Sequence, residues 1–168
     1  MPHSGALTLE STDIATVMAV ASESQDAQRV MRAVAALADK SLRFRQCSMF
    51  RYIDATAEVE RIYTSTPDSH PIGGRKRIAE YPHNQSVLAR GEIYIAKDRD
   101  AVARTYKDPE RIFALGVTSI MNVPVRHGGR NLGALNLWGE AGWYAESCWP
   151  TARTVGTLLV PTLLTWQA

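Results

Sequence analysis

The chain has 168 residues and a mass of 18.5 kDa, with 45% hydrophobic and 21% charged residues, which suits one globular domain. Nineteen Lys and Arg against seventeen Asp and Glu leave a formal charge of +2, too little for the concentrated basic face that a nucleic acid backbone requires. Surface scaling has a chain of this mass bury about two-thirds of its extended surface, so a core forms without disulfides or metal.

The start, Met1 to Gly5, has neither the basic segment nor the apolar run of a signal peptide. Residues 1–10 read as a tail and residues 11–168 as a single domain. Ile14, Val17, Met18 and Ala21 fall at helical spacing and predict a short amphipathic helix from about Ser11 to Ser22. A second helix follows on the stripe Val30, Met31, Val34, Leu37 and Ala38, with Asp26 in its first turn, where a negative charge opposes the helix dipole. The period then changes. Phe44 to Ile53 and Val59 to Thr66, separated by Asp54-Ala55-Thr56-Ala57, read as an antiparallel hairpin. From Pro67 to His83 no period survives, and an aperiodic segment of this length inside a compact domain is often functional. Asn84 caps a short helix that Gly91 ends, Ile93-Tyr94-Ile95 reads as a strand, and Asp108-Pro109-Glu110 opens a helix that Gly116 closes. Thr118 to Arg126 and Asn131 to Trp138 form a second hairpin about Gly128-Gly129. The last segment, from about Ser147, is helical in pattern until Pro161 kinks or ends it. This order implies an α+β domain around a mostly antiparallel sheet.

The run Leu115-Gly116-Val117-Thr118-Ser119-Ile120-Met121-Asn122-Val123-Pro124-Val125, followed by Gly128-Gly129-Arg130-Asn131-Leu132-Gly133-Ala134-Leu135-Asn136-Leu137, resembles the signature of the GAF domain family. Pro71-Ile72-Gly73-Gly74, Val87 to Gly91 and Asp98 to Ala103 stand where that family has its loop and pocket helices, so the resemblance covers about residues 11 to 166. It implies a GAF-like, PAS-related fold with five to six strands. Terminal helices pack on one face of the sheet, and loops and short helices cover a ligand pocket on the other. The family's known chemistries are checked by their residues. No cysteine lies between residues 48 and 147, where bilin-type members attach their chromophore. The Asn-Lys-Phe-Asp-Glu signature of the cyclic-nucleotide members is absent, as are the loop cysteines of the free methionine sulfoxide reductases.

Strand alternation puts Met121, Val123, Val125, Leu135 and Leu137 on one face and Ile120, Asn122, Ala134, Asn136 and Trp138 on the other. With Gly128-Gly129-Arg130 as a three-residue loop, Asn122 pairs directly with Asn136. The aliphatic face is expected against the helices, and the Asn/Trp face against the ligand. Tyr63, Tyr81, Tyr94 and Tyr106 are expected around the cavity, each offering an apolar body with one polar handle. Arg75 or Arg77, beyond Gly73-Gly74, is placed to close over an anion from a lid formed by residues 67–83. Two carboxamides and an indole nevertheless favour a planar or amide-bearing, largely uncharged molecule over a phosphate. His70, His83 and His127 have no metal-ligand spacing, and neither have Cys47 and Cys148, which are expected as reduced thiols.

The function expected is a small-molecule-binding sensory or regulatory module. It is expected to be cytoplasmic, without membrane or nucleic-acid partners, without a catalytic motif, and stand-alone, since no output domain follows residue 168. Its apolar terminal helices suggest a homodimer. The alternatives are a thiol-based redox enzyme acting through Cys47 or Cys148, and a dimerisation module without ligand.

Overall fold

The computed structural model describes residues 8–166; all but the last three residues of the expected tail lie outside the described residues. Helix α1 (Ser11–Glu23) buries Val17 of its apolar stripe and packs Ile14 against the core. Helix α2 (Ala27–Leu42) begins on Asp26, which stands at the N-cap and not within the first turn, its carboxylate accepting from the Gln28 N–H at 2.9 Å. Its stripe of Val30, Met31, Val34, Leu37 and Ala38 is buried throughout.

Strands β1 (Gln46–Ile53) and β2 (Glu58–Thr64) form the first hairpin. Residues 67–83 are less irregular than the sequence suggests. They contain strand β3 (Arg75–Arg77), paired with β2, and a 3-10 turn at Ile78–Glu80. Asn84 does not cap the next element: it lies inside α3 (Pro82–Asn84), which runs on into a π-helical turn, Gln85–Ala89. Proline supplies the start, having no N–H to leave unpaired there. Strand β4 (Tyr94–Ala96), helix α4 (Arg99–Thr105) and helix α5 (Pro109–Ala114) follow, with the Asp98 carboxylate capping α4 at the Ala101 N–H. The second hairpin is β5 (Ser119–His127) and β6 (Arg130–Gly139). The C-terminal helix divides into α6 (Trp149–Thr157) and α7 (Val160–Leu164) just ahead of Pro161.

The six strands form one antiparallel sheet in the order β3-β2-β1-β6-β5-β4. Helices α1, α2, α6 and α7 cover one face of it and the segment from β3 to α5 covers the other. The β5–β6 turn has two residues, not three: His127 pairs with Arg130, and Gly128 and Gly129 both have positive φ. A bulge between Val125 and Arg126 absorbs the difference, so Asn122 still faces Asn136. Gly133 is required by its neighbour, because a Cβ there would stand 1.9 Å from the Phe50 carbonyl oxygen of β1. Pro124 falls beyond the reach of β4, which pairs only with Ile120, Met121 and Asn122, so the missing N–H breaks no ladder on that side.

The aliphatic face packs against the helices as alternation requires. Met121, Val123, Val125, Leu135 and Leu137 join Met31, Val34 and Val155 in the main core. Met121 and Leu135 are fully buried. Truncating either to alanine is expected to cost about 2–5 kcal/mol in urea unfolding, the usual loss for a buried large-to-small change. A loss below about half a kilocalorie at both would contradict this packing.

Candidate functional site

The opposite face of the sheet closes over a cavity. From the sheet come Ser48 and Phe50 of β1, Val59 and Arg61 of β2, Asn122 of β5, and Ala134, Asn136 and Trp138 of β6. From the covering segment come Lys76, Tyr81, His83, Val87, Leu88 and Tyr106. An inner chamber of about 40 Å³ and an outer chamber of about 260 Å³ share Arg61, Lys76, Tyr81, Tyr106 and Trp138 as walls.

A hydrogen-bonded chain crosses the floor. Asn122 Nδ2 donates to Asn136 Oδ1 at 2.7 Å, and the Tyr106 hydroxyl donates to Asn122 Oδ1 at 2.8 Å. Buried carboxamides need such partners, and the direct pairing of the two strand positions supplies them. Above the floor, His83 sits among three tyrosines, with ring centres 4.9 Å from Tyr106, 5.4 Å from Tyr94 and 5.9 Å from Tyr81. At the outer chamber His70 meets the Trp138 ring edge-on at 5.1 Å. The roof is therefore aromatic and the floor polar.

The expected site residues do not all meet. Asn122, Asn136, Trp138 and Tyr81 line the cavity. Ile120 lies on the same face but packs with Trp138, Val102 and Val117 beside it. Tyr94 stands behind His83, its hydroxyl bonded to the Thr105 hydroxyl at 2.7 Å. Tyr63 is a correction. Plain alternation along β2 would put Val59, Arg61 and Tyr63 together. However, the register with β1 pairs Phe50 with Arg61 and Met49 with Tyr63, leaving Ile62 as the bulged residue. The bulge turns Tyr63 to the helix side, where it packs on the main core. Arg75 is a second correction. It points outward to Glu58 and Glu60, at 4.0 and 3.6 Å, so the residue of β3 that turns inward is Lys76.

Ser48, Arg61, Lys76, His83 and Asn84 also belong to the wall and were not among the residues expected there; three of them are titratable. Burial lowers the pKa of Arg61 from its ordinary value. Burial, with Arg61 and Lys107 nearby, brings the Lys76 ammonium down to about 8. Burial and then the Lys76 charge bring His83 down to about 4, so its imidazole is neutral at physiological pH. Among the described residues no group of three His, Cys, Asp or Glu is placed to hold a metal ion, and no helix is long and apolar enough to cross a membrane. Cys47 and Cys148 are free and buried, and burial pushes the Cys47 thiol far above its ordinary range.

The His83 shift has a defined sign. Below about pH 6.5 the unfolded chain takes up a proton that the folded imidazole refuses until about pH 4, so stability falls as pH drops through that window. Wild type is expected to lose up to about 3 kcal/mol across it relative to His83→Gln. Parallel urea titrations at both ends of the window measure the difference.

Comparison with known proteins agrees with the architecture. The model of the family described as GAF domain matches residues 26–148. The GAF domain from a phosphoenolpyruvate-protein phosphotransferase of Coxiella burnetii is similar over 90% of each chain, with a TM-score of 0.72 and 18% identity. The GAF domain of the Acinetobacter phosphoenolpyruvate-protein phosphotransferase matches 93% of this chain and 95% of its own, with a TM-score of 0.67 and 16% identity. The phycoerythrobilin-bound GAF domain from a cyanobacterial phytochrome matches 94% of this chain and 98% of its own, with a TM-score of 0.65 and 12% identity. At these identities the likeness concerns the fold. No curated protein sequence matches the chain.

Proposed function

The chain belongs to the GAF domain family, and from that premise we propose that it is a sensory or regulatory module that binds a small molecule in the cavity between β1, β2, β5, β6 and the covering segment. One observation carries this reading: the Tyr106–Asn122–Asn136 chain places donors and acceptors on the floor of an otherwise aromatic and aliphatic cavity. A convergent polar set in an apolar hollow is how small-molecule sites obtain orientation without losing burial. The covering segment supports it too, because short elements with local hydrogen bonds open at lower cost than core strands.

Thiol redox chemistry is the weaker reading. Cys47 is fully buried on the helix side of the sheet and its pKa is raised by that burial, which disfavours the thiolate needed for attack. We therefore propose no enzymatic activity. Native mass spectrometry of the protein as purified from cells is expected to find a bound small molecule that Asn122→Leu no longer retains. A wild-type protein of bare chain mass, with no change in tryptophan fluorescence across a metabolite panel, would argue for a module without ligand.

A homodimer through the terminal helices is part of the same proposal. Much of the C-terminal apolar surface is used within the chain: Leu158 and Leu159 are buried, and Leu163 and Trp166 pack against the core. Met18 of α1 and Leu164 of α7 remain about half exposed. Light scattering at micromolar concentration is expected to give twice the chain mass, and Met18→Glu with Leu164→Glu to return it to the monomer value.

A further inference from the structure

Two cations, Arg61 and Lys76, line the cavity. Arg61 is 6% exposed. Its Nη1 donates to the Pro71 carbonyl at 3.1 Å and its guanidinium lies 5.1 Å from the centre of the Phe50 ring, while its Nε has no partner. Lys76 places its ammonium 5.2 Å from the centre of the Tyr81 ring. Among the described residues no carboxylate pairs with either. Acids on the surrounding elements are committed elsewhere: Glu60 to Arg51 and Arg75, Glu80 to Lys107, and Asp108 to Arg111.

A buried charge without a counter-charge is costly; Arg61 bears that cost in full, and the half-buried Lys76 beside it bears part of it. Two further groups face the same space. His83 Nδ1 is buried without a partner, and Asn136, whose Oδ1 accepts from Asn122, keeps its Nδ2 to donate. The inner chamber, about 40 Å³, has room for only a few heavy atoms. The outer chamber shares Arg61, Lys76, Tyr81, Tyr106 and Trp138; His70, Pro71 and Ile112 extend its apolar wall beside Trp138, while Ser69, Lys107 and the Asp108–Arg111 pair form its open, polar rim.

We propose that the ligand is a small planar carboxylate whose anionic head is held by Arg61 and Lys76 at the junction of the two chambers and whose apolar body lies against Trp138. This rests on the pocket reading above and narrows it from any small molecule to an organic anion. It also reverses the expectation, drawn from the asparagines and the indole alone, of an uncharged ligand. A guanidinium with an open Nε and a nearby ammonium match the oxygens of a carboxylate. The depressed pKa of Lys76 fits a cation whose counter-ion has yet to arrive. Inorganic phosphate offers the same oxyanion chemistry but no body for the outer chamber.

Isothermal titration calorimetry of the full chain with benzoate, benzamide and inorganic phosphate tests the proposal, since the first two share ring and shape and differ in charge. Benzoate is expected to bind at least about tenfold more tightly than benzamide. Lys76→Met is expected to erase that preference and Lys76→Arg to retain most of it. Arg61→Gln is expected to act like Lys76→Met; the Lys76 variants, on an edge strand, keep the test valid should it fail to fold. Equal affinities for benzoate and benzamide, no benzoate binding at millimolar concentration, or an unchanged preference in Lys76→Met overturns the proposal. Tighter binding of phosphate than of benzoate overturns the carboxylate. Ala134→Leu, which fills the inner chamber from the sheet side, separates the two levels of failure. If it abolishes equal binding of benzoate and benzamide, the pocket stands and the anion falls. If it leaves benzoate binding unchanged, both fall.

Discussion

Asn122 and Asn136 face each other across β5 and β6, and that single pairing sorts every side chain of the hairpin onto one of two faces. Slipping β6 by one residue against β5 would carry Asn136 and Trp138 into the aliphatic core and leave Leu135 and Leu137 in the cavity. Neither arrangement is affordable. The carboxamides satisfy one another only when opposed, and the helices have no other apolar surface of that extent to pack against. The cavity is thus a by-product of how the core is specified: one face of the sheet is given wholly to helices, and the other is covered by short segments that fill it incompletely.

Much of this was legible in the sequence because the hairpins carry strong local signals. Gly128-Gly129 with alternating apolar residues on each side determines β5–β6, and the stripe from Val30 to Ala38 determines α2. Even the error in the turn was harmless. A three-residue loop and a two-residue loop followed by a bulge differ by one residue at the tip and agree at Asn122 and Asn136. The signature run around Leu115 to Leu137 gave the fold family in the same way, since it encodes a strand, a turn and a strand whose pairing the structure reproduces.

What was not legible depends on contacts distant in sequence. The bulge at Ile62 arises from how β2 meets β1, and nothing in Val59 to Thr66 announces it. It takes Tyr63 out of the cavity and leaves Arg61 as the last inward residue before the break. Likewise Arg75-Lys76-Arg77 has no period of its own in the sequence, and Arg75 or Arg77 is the residue expected over the cavity until β3 is seen to pair with β2. Pairing imposes alternation on three basic residues, and the middle one turns inward. His83 has no spacing that marks it, since its neighbours Tyr81, Tyr94 and Tyr106 come from three separate segments.

The sheet ends at both sides in strands of only three residues, β3 and β4. An unpaired edge is a template on which another chain can add a strand, and its hazard grows with the length of ladder it offers. Here one edge presents the exposed side chains of Arg75 and Arg77, which repel a second copy of themselves, and the other is followed at once by α4, which packs beside it. Extending the sheet from chain to chain would gain few hydrogen bonds at either end and would set like charges together at one. A protein built this way offers little to strand-by-strand association, because the strands that matter most, β1 and β6, lie two places in from each margin.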